Sequence, residues 1–139
     1  MSKEKISLDI RDYAKAHYRK LDTNEFVLGE APFNRRCHIN AVQKIKEGKA
    51  EKVFLCFTID LDSNSQCIHF INQLEDGKYQ DNTWGWLYTH TEYYIIKEVA
   101  KEEYNTIWDI LTCTKQSLVN MFASWIDKYI LRIKAKDFI

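Results

Sequence analysis

Residues 52–83 run KVFLCFTID (Lys52–Asp60), LDSNS (61–65), QCIHFINQL (Gln66–Leu74), EDGK (75–78) and YQDNT (79–83), and the fold turns on them. Lys52 to Asp60 is rich in β-branched and aromatic residues and apolar on both faces, the pattern of a central strand. Leu61 to Ser65 has the composition of a turn, and Gln66 to Leu74 reads as a second strand. Asp76-Gly77 is a hairpin signal, which makes Tyr79 to Thr83 the third strand. The length of that hairpin loop sets the register. A two-residue loop pairs Glu75 with Lys78 and makes Asn82 the same-face diagonal neighbour of His69. A three-residue loop pairs Leu74 with Lys78 and puts Asp81 in that place.

Outward from the hairpin the chain is helical. Lys5 to Lys20 carries Ile6, Ile10, Tyr13, Ala14 and Tyr18 at helical spacing. Leu21 to Arg36 reads as a loop with a short extended piece at Phe26–Leu28. Cys37 to Glu47 reads as a helix with Cys37, Ala41, Val42 and Ile45 inward, Gly48 just past its end and Asn34 as the expected N-cap. Leu87 to Val99 holds a fourth strand around Tyr93–Ile96. Asn105 to Tyr129 is the closing helix, and 128–139 reads as a last strand or a frayed end. Helices, then an antiparallel meander, then a helix is an α+β plan, expected as one domain over 1–139.

The chain has 139 residues, 20 Lys+Arg against 20 Asp+Glu, 45% hydrophobic and 14% aromatic residues, one proline and four glycines. That composition argues against long disorder. Zero net charge gives no electrostatic case for nucleic acid. No apolar run approaches the roughly 20 residues of a membrane helix. Met1-Ser2-Lys3-Glu4-Lys5 carries no apolar signal region, so a cytoplasmic location without membrane partners is expected. Cys37, Cys56, Cys67 and Cys113 form no CxxC pair and no zinc-ribbon spacing.

Three pieces bear chemistry: Asn34-Arg35-Arg36-Cys37-His38-Ile39-Asn40-Ala41, Cys67-Ile68-His69-Phe70-Ile71-Asn72, and Asp76 to Thr83. A thiol attacks a carbonyl as the thiolate, and a helix N-terminus lowers its pKa and offers free N–H groups. Cys37 stands where that helix begins. His69 is held on a strand, where an imidazole can move the proton. Asp81 or Asn82, one strand away, can accept from the other ring nitrogen; an anion favours Asp81. Asn34, Asn40 and the Cys37 amide are candidate oxyanion donors, Arg36 with Arg35 a candidate anion site, and Trp84 a stacking surface for substrate. Each has a plain structural alternative: Cys37 a buried apolar residue, His69 a core histidine, Asp81–Thr83 a cap, Cys67 packing. A zinc set of Cys37, His38, Cys67 and His69 is the metal alternative, with poor geometry for adjacent residues.

Cys37-His38-x-Asn40-Ala41, Ile68-His69-Phe70 and Asp81-x-Thr83, in that order, resemble the papain-like superfamily in its transglutaminase and NlpC/P60 branches. The likeness spans about Asn34 to Ile96. It implies nucleophile Cys37, base His69 and orienter Asp81. The substrate would be a protein, a peptide or a small amide, attacked through an acyl-enzyme with no cofactor. His38 departs from the pattern, since an aromatic residue commonly follows the nucleophile in that superfamily. The rival reading is a binding module that uses the aromatic group Trp84, Trp86, Tyr88, Tyr93 and Tyr94.

Overall fold

The computed structural model describes residues 3–124. Lys52 to Asp60 forms β3, and its two faces are both buried: Val53, Leu55, Phe57 and Ile59 on one, Cys56 and Thr58 on the other. That two-sided burial is what its unbroken apolar sequence requires. β4 (Gln66–Gln73) pairs antiparallel with it, and the hairpin continues into a short β5 (Tyr79–Gln80). The loop has three residues, Glu75-Asp76-Gly77. Leu74 N–H donates to Lys78 O at 2.8 Å, Gly77 N–H donates to Leu74 O at 3.0 Å, and Asn72 stands opposite Gln80. Gly77 has φ 88°, the left-handed conformation such a loop needs at its last position.

Helix α1 (Lys3–His17) buries Ile6, Ile10 and Ala14; α2 (Cys37–Lys46) buries Ala41 and Val42; α3 (Ile107–Phe122) buries Ile107, Leu111, Leu118 and Val119. All three stripes join one core with the Val53–Ile59 face of β3 and with Ile68 and Phe70 of β4. The opposite sheet face holds a second core of Leu21, Phe26, Cys56, Ile71, Tyr79 and Tyr93. His69 alternates with Ile68 and Phe70, so it belongs to this second face.

The α+β plan holds, but the sheet is not a meander. Among the described residues six strands run in the order β1-β6-β3-β4-β5-β2, with β1 at Arg19–Leu21, β2 at Phe26–Val27 and β6 at Thr91–Val99. β6 lies against β3, not β5, and β2 pairs parallel with β5, so the sheet is mixed. The helix expected to reach Lys20 stops at His17 because Arg19–Leu21 are pulled into pairing with Tyr93–Ile95. The fourth strand, expected within Leu87–Val99 around Tyr93–Ile96, is β6 and begins at Thr91; before it, residues 85–90 form a 3₁₀ segment that starts at Gly85 with φ 50°. The closing helix begins at Ile107, after a 3₁₀ turn at Lys101–Thr106. Its expected extension beyond 124, and the last strand or frayed end at 128–139, lie outside the described residues. Among the described residues, no helix is long and apolar enough to cross a membrane.

The third strand, expected to reach Thr83, ends at Gln80. Asp81 Oδ1 accepts the N–H groups of Thr83 (2.9 Å) and Trp84 (2.8 Å), which curls the chain off the sheet. Gly29 is pressed against this bend: a Cβ on it would lie 2.2 Å from the Asp81 carbonyl oxygen. Gly29→Ala is therefore expected to lower stability by about 1–3 kcal/mol, the usual cost of overpacking. Its denaturation midpoint reads this directly, and an unchanged midpoint would show that the bend gives way freely.

Candidate active site

The loop into α2 turns through two non-glycine residues in the left-handed region, Phe33 (φ 50°) and Arg35 (φ 59°). Such conformations cost about 1 kcal/mol or more each and persist only where surrounding bonds impose them. Here Asn34 Oδ1 accepts from Arg36 N–H (3.0 Å) and from Asn40 Nδ2 (2.9 Å). Asn40 Nδ2 also donates to Thr83 Oγ1 (2.9 Å), and Phe33 N–H donates to Thr83 O (3.0 Å). The loop is thus clamped to the bend that carries Asp81.

Two expectations change as a result. The N-cap is Arg36, not Asn34, and the Arg36 side chain makes no capping hydrogen bond. The first-turn N–H groups, Cys37 included, are left without the side-chain acceptor that an Asn34 cap would have supplied. Asn40 spends both amide hydrogens on Asn34 and Thr83, so it is a brace and not an oxyanion donor. Asn34 also turns its amide toward Asn40, at 3.3 Å. Of the three candidate donors, the Cys37 backbone N–H fits best.

The His69 side chain is 2% exposed and Asp81 is fully buried. His69 Nε2 meets Asp81 Oδ2 at 2.9 Å, and Tyr93 Oη donates to the same oxygen at 2.6 Å. The indole of Trp84 lies flat on the imidazole, with centroids 3.6 Å apart and planes 3° apart. With Nε2 committed to Asp81, Nδ1 is the nitrogen left to face the Cys37 thiol, and each group acts on the other: His69 lowers the thiol and Cys37 raises the imidazole. The three-residue loop gives Asp81 the diagonal position. Asn82, the alternative, does not reach the ring: its amide donates to Asn72 Oδ1 (2.9 Å) and Gln80 Oε1 (3.0 Å), and its Oδ1 accepts Glu30 N–H (3.2 Å).

The early end of β5 also explains how a residue of the helical layer meets a histidine of the opposite sheet face. Leu74 N–H points toward β5, and N–H groups two residues apart on a strand point the same way. Phe70 N–H therefore points to an edge where β5 is already gone. Cys37 lies at that gap, where the Phe70 N–H favours its thiolate.

Burial works against the Cys37 thiolate, but the His69 imidazolium and the Phe70 N–H outweigh it, so the thiol is held below its ordinary value. Burial also works against the imidazolium, and Asp81 and Cys37 outweigh that, so His69 is held well above its ordinary value. Asp81 is pushed up by burial and pulled down further by His69, the Trp84 N–H and Tyr93. Both directions shift the pair toward thiolate and imidazolium, with the Asp81 carboxylate behind the ring. Burial instead pushes Cys56 and Cys67 up, so neither competes as a nucleophile.

The remaining candidates divide. Arg36 is exposed at the mouth of the site. Trp84 covers His69, a closer role than the substrate contact expected of it. Tyr93 and Tyr94 are buried, Tyr88 stacks on Phe26 at 5.4 Å, and Trp86 is the one clearly exposed member of the aromatic group, at 54%. His38 leans on Trp108 at 4.9 Å, so the four-residue zinc arrangement does not assemble. Among the described residues, no three His, Cys, Asp or Glu side chains converge as metal ligands.

Sequence reasoning missed three contributors. Tyr93 comes from a strand whose partner was unknown. Gly29 acts only through a contact with a segment about fifty positions away. Asn72 is fully buried and donates to Ala41 O (2.9 Å) and Lys52 O (3.2 Å), tying the hairpin to α2. An amide directly after the apolar pair Phe70-Ile71 of a strand was the one available signal for it. No family model matches the chain, and neither the curated proteins nor the solved structures contain a match to it.

Proposed function

We propose that the protein is a cysteine-dependent hydrolase or acyltransferase that acts on an amide bond through an acyl-enzyme, with a papain-like, transglutaminase-like arrangement of its site. The observation that carries this is the imidazole bound to the Asp81 carboxylate beneath Trp84 and coupled in charge to Cys37, which stands at the start of α2. The order of helix cysteine, strand histidine and following aspartate supports the same reading.

In this mechanism the Cys37 thiolate adds to the carbonyl carbon, and the negative oxygen is met by first-turn N–H groups of α2. His69 Nδ1 gives its proton to the leaving nitrogen as the C–N bond breaks. The thioester is then attacked by water or by an amine, and Nδ1 removes the proton of that nucleophile. Asp81 fixes the ring and stabilises its charged form without taking the proton.

A chromogenic acyl ester tests it. With p-nitrophenyl acetate, the wild-type protein is expected to release one equivalent of nitrophenol in a burst. Acetyl should be carried on Cys37 and then lost to water over repeated turnovers. His69→Ala, if acylated, is expected to retain the acetyl group, and Cys37→Ala to show no burst. Folded wild-type protein that never carries acyl on Cys37 would refute the proposal.

A further inference from the structure

We infer that a cleft beside the catalytic trio is a specificity site for a long side chain with a cationic end, so that the preferred substrates carry lysine or arginine next to the bond attacked. This rests on the reading of Cys37 as nucleophile. The cleft holds about 220 Å³. Its floor includes Thr58 and Cys67, which are paired across β3 and β4. The next same-face pair along the ladder is Cys56 with His69, so the floor lies one step from the catalytic imidazole. Trp84, which stacks on His69, also lines the cleft. The site and the cleft therefore share a wall.

The lining sets the chemistry of the guest. Phe33, Trp84 and Leu87 offer apolar walls to a methylene stem. Among the described residues that line the cleft, Asp60 is the one carboxylate and none is cationic. Its Oδ1 accepts the N–H groups of Asp62 (2.8 Å) and Ser63 (3.3 Å), which fixes the carboxylate and keeps it ionised at neutral pH. The nearby His90 faces Asp62, at 3.5 Å. An apolar channel ending in a fixed negative charge selects an aliphatic chain ending in a positive one.

The test uses two kinds of thiol reagent on the intact chain. Iodoacetamide reads the Cys37–His69 pair alone. Acetyl-X-glycyl and acetylglycyl-X chloromethyl ketones, with X as lysine, norleucine or glutamate, read the cleft as well. At one of the two positions, wild-type Cys37 is expected to react about tenfold faster with the lysine reagent than with the norleucine one, and slowest with glutamate. Asp60→Asn keeps the oxygen that accepts Asp62 and Ser63 but removes the charge. It should bring the lysine-to-norleucine ratio close to one and leave the iodoacetamide rate unchanged. Asp62→Asn should alter neither. A wild-type ratio near one at both positions, or a ratio that survives Asp60→Asn, overturns the assignment while the fast iodoacetamide reaction still stands. Slow, ordinary alkylation of Cys37 by iodoacetamide would instead overturn the nucleophile and the cleft together.

Discussion

Alkylation of Cys37, followed residue by residue by mass spectrometry across pH, is expected to rise with an inflection below the free-thiol value of about 8.5. Removing the imidazole with His69→Ala leaves burial and the Asp81 charge opposed by the Phe70 N–H alone, so the inflection should move up. At pH 6.5 an ordinary thiol is only about 1% ionised, so the rate in the variant should fall by roughly 10- to 100-fold. The lower figure applies if the more basic thiolate is also the better nucleophile. Cys113 is exposed and not part of the pair, which makes it an internal reference within the same digest. Equal inflections for Cys37 in the two proteins would remove the basis for treating it as an activated thiol.

Asp81→Ala should have the largest effect on the molecule as a whole. The carboxylate is fully buried and accepts from His69, Tyr93, Thr83 and Trp84. Removing one member of a buried charged pair costs about 3–5 kcal/mol, and here two backbone N–H groups lose their acceptor as well. Denaturant unfolding at pH 7 reads that loss. Its pH dependence has a definite sign. Asp81 is depressed in the fold, so its contribution is present above the unfolded value of about 3.9 and is lost as pH falls through the lower folded value. The gap between wild type and Asp81→Ala should therefore close on acidification, and a gap that stays constant down to pH 2 would contradict the assignment.

His69 and Cys37 titrate in opposite senses. His69 is raised, so its contribution is full below about 6.5 and is lost as pH rises through its folded value. Cys37 is lowered, so its contribution is full above about 8.5 and is lost as pH falls through its folded value. Between those limits the two slopes have opposite signs and work against each other.

Asp81→Asn separates charge from shape. Two donors, His69 Nε2–H and Tyr93 Oη–H, converge on Oδ2, and two backbone N–H groups converge on Oδ1. An amide must turn its NH₂ toward one of these pairs. Facing His69, it forces the ring proton onto Nδ1, where a neutral ring can no longer accept from the Cys37 thiol. Cys37 reactivity at neutral pH should then drop toward that of His69→Ala even where the variant folds.

Much of this site was legible before any coordinates. Asp76-Gly77 bounded the hairpin loop, the unbroken apolar run of 53–59 marked a central strand, and Gly48 closed a helix that opens at Cys37. These are local signals, written within a few residues of one another. The choice between Asp81 and Asn82 was reduced to one question, the number of loop residues.

What the chain alone determined was therefore its helices, its central hairpin and the identity of a possible trio. The tertiary structure decided the rest: β6 lies beside β3, β2 runs parallel to β5, Tyr93 reaches Asp81 from a remote strand, and Trp84 lies flat on His69. The reason is physical. Periodicity and turn chemistry act between neighbours in sequence, whereas β1 and β2 are three and two residues long and carry almost no pattern of their own. Their places are set by edges and cavities that exist only once the central hairpin has folded.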